Sequence, residues 1–166
     1  MIPEQGILQF STPQRGLIFQ ALGEAEERTA GYYCIPPFRW EKLHFDLLTR
    51  ADHGWEPFPE PILARVRCLQ PVNPRRDFDF YRIELNDRGI LSAAERENLT
   101  QDLYPFFVYI LTHEMVHMVR LSSILDDGPG TLPSTNDTEE HRVQQISRKI
   151  LAGSRHFQPV LDRFCS

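Results

Sequence analysis

Apolar positions change their spacing along this chain, and the change divides it near residue 92. Before that point the apolar runs are short. Residues 16–22 (Gly-Leu-Ile-Phe-Gln-Ala-Leu) form a Gly-bounded apolar run that reads as a strand, although a helix start fits too. Residues 38–50 place Leu43, Leu47 and Leu48 at helical spacing behind Pro36-Pro37, which predicts a helix. Residues 64–69 alternate Val66 and Cys68 with Arg65 and Arg67, the period of a strand. Residues 78–85 carry Phe78, Phe80, Ile83 and Leu85 among charged residues, a second strand with imperfect alternation, and Asn86-Asp87-Arg88-Gly89 closes it with turn chemistry. Prolines concentrate before residue 75 and break the chain wherever they fall, because proline lacks an amide donor and restrains the residue before it.

Beyond residue 92 the spacing is helical. Ser92-Ala93-Ala94-Glu95 matches a capping box. Leu103-Tyr104-Pro105 opens a long helix, since proline is well tolerated in a first turn, and no Gly or Pro interrupts it before about Leu125. Residues 126–136 form a polar loop punctuated by Gly and Pro. Asp137-Thr138-Glu139-Glu140 then begins a helix with Val143, Ile146 and Ile150 on one stripe and Gly153 as its stop. Residues 157–164 read as a short packed tail. The order of elements predicts a single α+β domain over residues 1–166.

Composition narrows the functional classes. A chain of 166 residues with 41% hydrophobic and 25% charged residues is ordinary for a globular domain. The net charge of -5 excludes a domain-wide basic footprint for nucleic acid, and the cluster Arg65, Arg67, Arg75 and Arg76 is expected to be solvated surface. Cys34, Cys68 and Cys165 are too few and too scattered for a disulfide framework or a zinc ribbon, and an odd count suits a reducing compartment. No basic and apolar leader opens the chain, and no run reaches the roughly 18 apolar residues of a membrane span. These features predict a cytoplasmic protein that binds neither nucleic acid nor membrane. They do not indicate its oligomeric state.

Chemistry enters with His113-Glu114-Met115-Val116-His117 in the long helix. Histidines four apart lie one above the other on one helix face, where both imidazoles can reach a single metal. Glu114 is rotated about 100° from His113, outside the ligand shell but beside it. There it can act as general base toward a water activated by zinc. Phe106, Ile110, His113 and His117 share one stripe, so both rings are expected to point inward, where a polar ring without a partner is costly. The bland alternative is a pair of core histidines satisfied by carbonyls or carboxylates.

A catalytic zinc site takes a third protein ligand and leaves one position open. The candidates are Glu139, Glu140 and His141, which the preceding loop is long enough to bring back antiparallel to the first helix. Glu139 shares the stripe of Val143, Ile146 and Ile150, which favours it. Glu140, about a third of a turn away, suits either the metal or the cap of the helix. Tyr81, Tyr104 and Tyr109 are candidate oxyanion donors, although aromatic residues in such positions more often serve the core. Arg120 is expected to pair an acid. His44 and His53 are expected to be exposed or bonded to carbonyls.

His113-Glu114-x-x-His117 followed by Glu139-Glu140 resembles the zincin metallopeptidases of the gluzincin type, in particular the short bacterial minimal zincins. The resemblance covers about forty residues, 109–150, and the Met118-Val119-Arg120-Leu121 that follows the motif departs from the Gly-x-x-His continuation of metzincins. It implies a zincin-like fold, with a small twisted sheet packed on the motif helix and an edge strand pairing an extended peptide substrate. It further implies one zinc ion on His113, His117 and either Glu139 or Glu140, with Glu114 as the catalytic base of peptide-bond hydrolysis. The strand at residues 78–85, next to the helical half, is the expected substrate-pairing edge. The alternative is a zincin-fold binding or regulatory module with a structural or inactive zinc site. Four protein ligands, for instance with both Glu139 and His141 bound, would mark it.

Overall fold

The computed structural model describes residues 9–53, 58, 62–69, 80–122 and 137–165. Its elements in chain order are α1 (Thr12–Tyr32), α2 (Pro37–Trp40), β1 (His44–Leu48), α3 (Arg50–His53), β2 (Ala64–Leu69), β3 (Phe80–Leu85), α4 (Asp87–Arg96), α5 (Leu103–Leu121), α6 (Asp137–Leu151) and α7 (Gln158–Phe164), with a 3-10 turn at Arg155–Phe157 before the last. The architecture is mixed α and β: a three-stranded sheet and, for the rest, mostly helices.

Helix α5 is apolar around nearly its whole circumference, and a helix of that kind must be enclosed. Phe106, Phe107, Val108, Leu111, Met115, Met118 and Val119 are all buried. Helices α1 and α6, strand β2 and the C-terminal helix α7 pack around it. The sheet has the order β1-β3-β2, with β1 parallel and β2 antiparallel to β3. Tyr81, Ile83 and Leu85 turn one face of the sheet into the core, joined by Phe45, Leu47, Ala64 and Val66. The other face carries charge. Arg82 grips Asp46 directly across the β1–β3 pair at 3.0 Å, and Glu84 receives Arg65 and Arg67 of β2, each at 3.2 Å. Burial works to raise the Glu84 carboxyl, but its two arginines outweigh burial and hold it below the ordinary carboxylate range. Arg65 and Arg67 are therefore ion-paired, not merely solvated, while Arg75 and Arg76 lie outside the described residues.

Several sequence expectations need correction. Residues 16–22 are not a strand but part of α1, which begins in a capping box: Ser11 Oγ accepts from the Gln14 amide and Gln14 Oε1 from the Ser11 amide. The buried side of α1 is Ile18, Ala21, Ala25 and Thr29, so its helical period emerges only over a window longer than the apolar run. Residues 38–50 are not one helix. They hold the single turn α2, then β1, which parallel pairing with β3 draws into the sheet, and the start of α3. Asn86 closes no turn: it is the N-cap of α4, accepting from the Gly89 amide at 3.1 Å. Ser92-Ala93-Ala94-Glu95 consequently lies inside α4 and caps nothing. The expectations for residues 126–136, and for Phe78 itself, fall outside the described residues. The segments 64–69 and 80–85, the proline-led α5, the start of α6 and the packed tail stand where the sequence placed them. Ser122 ends α5 earlier than expected. Among the described residues no helix is long and apolar enough to cross a membrane.

Candidate metal centre

One turn of α5 separates His113 from His117, and their rings meet edge to face with centroids 4.9 Å apart. Both imidazoles line a cleft. Opposite them, the first turn of α6 brings Glu140. His113 Nε2 donates to Glu140 Oε2 at 3.1 Å and His117 Nε2 to Glu140 Oε1 at 2.8 Å. The ligand atoms of His113, His117 and Glu140 all lie within 4.8 Å of one another, and this group can hold a metal ion.

Of the two glutamates proposed from the sequence, Glu140 faces the imidazoles and Glu139 does not. Glu139 faces inward, as the apolar stripe of α6 suggested, but onto Arg120, whose Nε and Nη2 reach its two oxygens at 2.5 and 3.0 Å. Glu140 is 62% exposed and sits at the mouth of the cleft. The stripe identifies the side of α6 that packs against the protein, whereas the site lies at the border of that side. His141 stays on the exposed side, its Nε2 3.0 Å from the Gln145 amide, and is not part of the group; neither is His44, while the side chain of His53 lies outside what the structure describes.

The electrostatics follow from these contacts. The hydrogen bonds from His113 and His117 outweigh burial and hold the Glu140 carboxyl far below the usual range. Burial opposes charge on the His117 imidazole, but Glu140, Glu114 and Glu139 prevail and raise its pKa. Glu114 is buried beside the pair; burial pushes its carboxyl up, and the neighbouring imidazoles recover only part of the shift. His113 Nδ1 is buried and has no hydrogen-bond partner among the described residues.

The cleft holds about 540 Å³ and exposes Glu114 and all three potential ligands. Its other walls include residues 62–66 at and before β2, Tyr109 and Ile110 of α5, and Phe164 of α7. Phe164 stacks on Phe106 and Tyr109, at 5.1 and 5.7 Å between centroids. Arg148 of α6 holds the Cys165 carbonyl at 2.7 Å, and Gln144 holds that of Phe164. Of the three candidate oxyanion donors, Tyr109 lines the cleft, its hydroxyl kept protonated first by burial and then by Cys165. Tyr81 is core, and Tyr104 pairs with Glu24 of α1. Neither Ile62 nor Phe164 carried a local signal in the sequence, because only the packing of β2 and α7 on α5 makes them neighbours of the histidines. Strand β3, expected to be the substrate-pairing edge, is bonded on both sides and is not an edge; among the described strands, β2 is the edge beside the cleft.

Compared with known proteins, the chain matches no protein-family model, no curated protein and no solved structure.

Proposed function

We propose that this chain is a zinc-dependent metallopeptidase of the minimal zincin type, with Glu114 as its general base. The observation that carries the proposal is the convergence of His113, His117 and Glu140 beside a buried Glu114, at a cleft bordered by an edge strand. The donor set fits the ion. Two imidazole nitrogens and one carboxylate oxygen are a known catalytic zinc set, one that leaves a coordination position free. The Glu140 oxygens stand 2.8 and 3.1 Å from the two ring nitrogens, and all the ligand atoms lie within 4.8 Å of one another, so one ion could be held among them. Glu139 and His141, which would close the site as a structural one, are both engaged elsewhere.

A zinc ion held by these residues supplies Lewis acidity, polarising a substrate carbonyl and lowering the pKa of water toward neutrality. The rest belongs to the chain. Glu114 accepts the proton of the attacking water and passes it to the leaving amine. Strand β2, at the border of the described sheet, is where an extended peptide would add as a further strand. Ile62, Val66, Ile110 and Phe164 offer apolar surface to the side chains next to the scissile bond. The Tyr109 hydroxyl, which retains its proton, is available as a donor at the same wall.

Elemental mass spectrometry on purified wild type, His113→Ala and Glu140→Ala tests the reading, alongside digestion of a mixed peptide library. The expected result is close to one zinc per wild-type chain, little in either variant, and peptide cleavage that a chelator stops and zinc restores. A wild type that carries no zinc and cannot be loaded with it ends the proposal. Zinc without any hydrolysis would transfer the site to a binding or regulatory module.

A further inference from the structure

We propose that Arg120 and Glu139 are positioning residues for the metal centre: their ion pair pins the first turn of α6 to the last turn of α5 and so holds Glu140 against His113 and His117. The inference rests on the metal-site reading above.

Three observations carry it. Glu140 cannot be held by packing, because its side chain is 62% exposed. Its immediate neighbour Glu139 is only 13% exposed, and Arg120 only 20%. Both guanidinium donors meet both carboxylate oxygens, a fork that fixes direction as well as distance. A helix start is the part of a helix least restrained by its own bonds, since its first amides lack intrahelical acceptors. In α6 the first buried apolar anchor, Val143, comes only three residues after Glu140. Between Asp137 and Val143, ion pairs across to α5 join Glu139 to Arg120 and Glu140 to the two histidines.

The placement of Arg120 explains why this pair suits the task. It lies three residues after His117, so guanidinium and imidazole share one side of α5. The successive carboxylates of Glu139 and Glu140 are then addressed by successive positions on the facing helix. The same pairing keeps the Glu139 carboxylate away from the metal, where it would otherwise compete with Glu140. Tyr33, the C-cap of α1, lies within electrostatic reach of both partners and is itself half-buried, so the clamp sits where three helices meet.

The test is zinc affinity of the apo protein by competition with a chromophoric chelator, together with the visible spectrum after Co²⁺ loading. The set is wild type, Arg120→Gln, Glu139→Gln, the double variant, and the exchange Arg120→Glu with Glu139→Arg. Each single substitution is expected to weaken zinc binding about 10-fold or more, as removal of an outer-sphere partner typically does, and to change the Co²⁺ bands. The double variant should bind no worse than the weaker single, and the exchange should recover affinity. A clamp that served only stability would lower the melting temperature of the apo form and leave affinity and spectrum unchanged. That result, in a wild type that binds zinc, overturns the inference alone. Tighter zinc binding in Arg120→Gln overturns it as well, because it would make Glu139 a ligand released from its arginine. If Arg120→Gln does not fold, Glu139→Gln gives the readings instead: its amide oxygen can still accept one hydrogen bond from Arg120, which favours folding, but the charged two-point fork that fixes direction is lost. A wild type that binds no zinc removes the metal-site reading, and the clamp with it.

Discussion

Glu114 illustrates how one residue can be adverse to the apo fold and useful to the chemistry. It is buried, and desolvation raises its carboxyl above the ordinary range despite two neighbouring imidazoles. For a carboxyl whose folded pKa lies above its unfolded one, stability is fully present below the unfolded value and is lost as pH rises through the folded one. Glu114 therefore costs the apo protein stability above the ordinary glutamate range. Glu114→Gln should melt at a higher temperature than wild type at pH 7 and no higher at pH 4; a lower melting temperature at pH 7 would contradict this. In the zinc-loaded protein the same variant should keep its metal and lose about 10²–10⁴-fold in kcat, the usual worth of a positioned general base. The identity of this residue and of both histidines was legible because five consecutive positions on one helix contain them all. The choice between Glu139 and Glu140 was not legible. They differ by about 100° of rotation on α6, and what each faces depends on how that helix crosses α5.

At the scale of elements, the start of α4 shows why turn and cap are easily confused. Asparagine, aspartate and glycine serve both, since a short polar side chain bonding a nearby amide closes a turn or opens a helix equally well. Here Asn86 caps, and its side-chain amide also donates to the Ile62 carbonyl at 2.8 Å, tying α4 to the segment that leads into β2 at the cleft. A Cβ on Gly89 would come within 2.4 Å of that amide nitrogen, so the close approach requires glycine. Asp87 next to it is buried and accepts from the Phe10 amide at 2.9 Å and the Arg50 amide at 3.0 Å, joining the entry to α1 and the start of α3. Asp87→Ala removes the carboxylate that accepts from both amides, at roughly 1–3 kcal/mol for each bond lost. A loss of about 2 kcal/mol or more in urea unfolding is expected, and a change below about half a kcal/mol would show that water replaces the carboxylate.

For the molecule as a whole, acid is the condition that should loosen it. Glu84 and Glu139, the first in the sheet and the second between α5 and α6, both have carboxyls lowered by arginine partners, Glu84 against its own burial. A lowered folded pKa means that the unfolded chain binds more protons, so the stabilisation is present above the ordinary glutamate range near 4.5 and is lost as pH falls through the folded values. The denaturation midpoint of the apo protein should thus decline as pH is lowered from about 5, and less steeply in Glu84→Gln. An equal slope in that variant would assign the acid sensitivity to other groups.

Features carried by contiguous residues were legible in the chain alone: the enclosed motif helix with its two histidines and glutamate, the alternation of β2, and the acidic start of α6. Their periods are local, and each extends over enough residues to be distinguished from its rivals. Features that depend on partners far along the chain emerged only on folding. Pairing with β3 makes residues 44–48 a strand, and the order β1-β3-β2 makes β2 the edge of the cleft. The crossing of α5 and α6 sends Glu140 to the histidines and Glu139 to Arg120, because a side chain's direction is set by its own helix but its partner by the helix it meets.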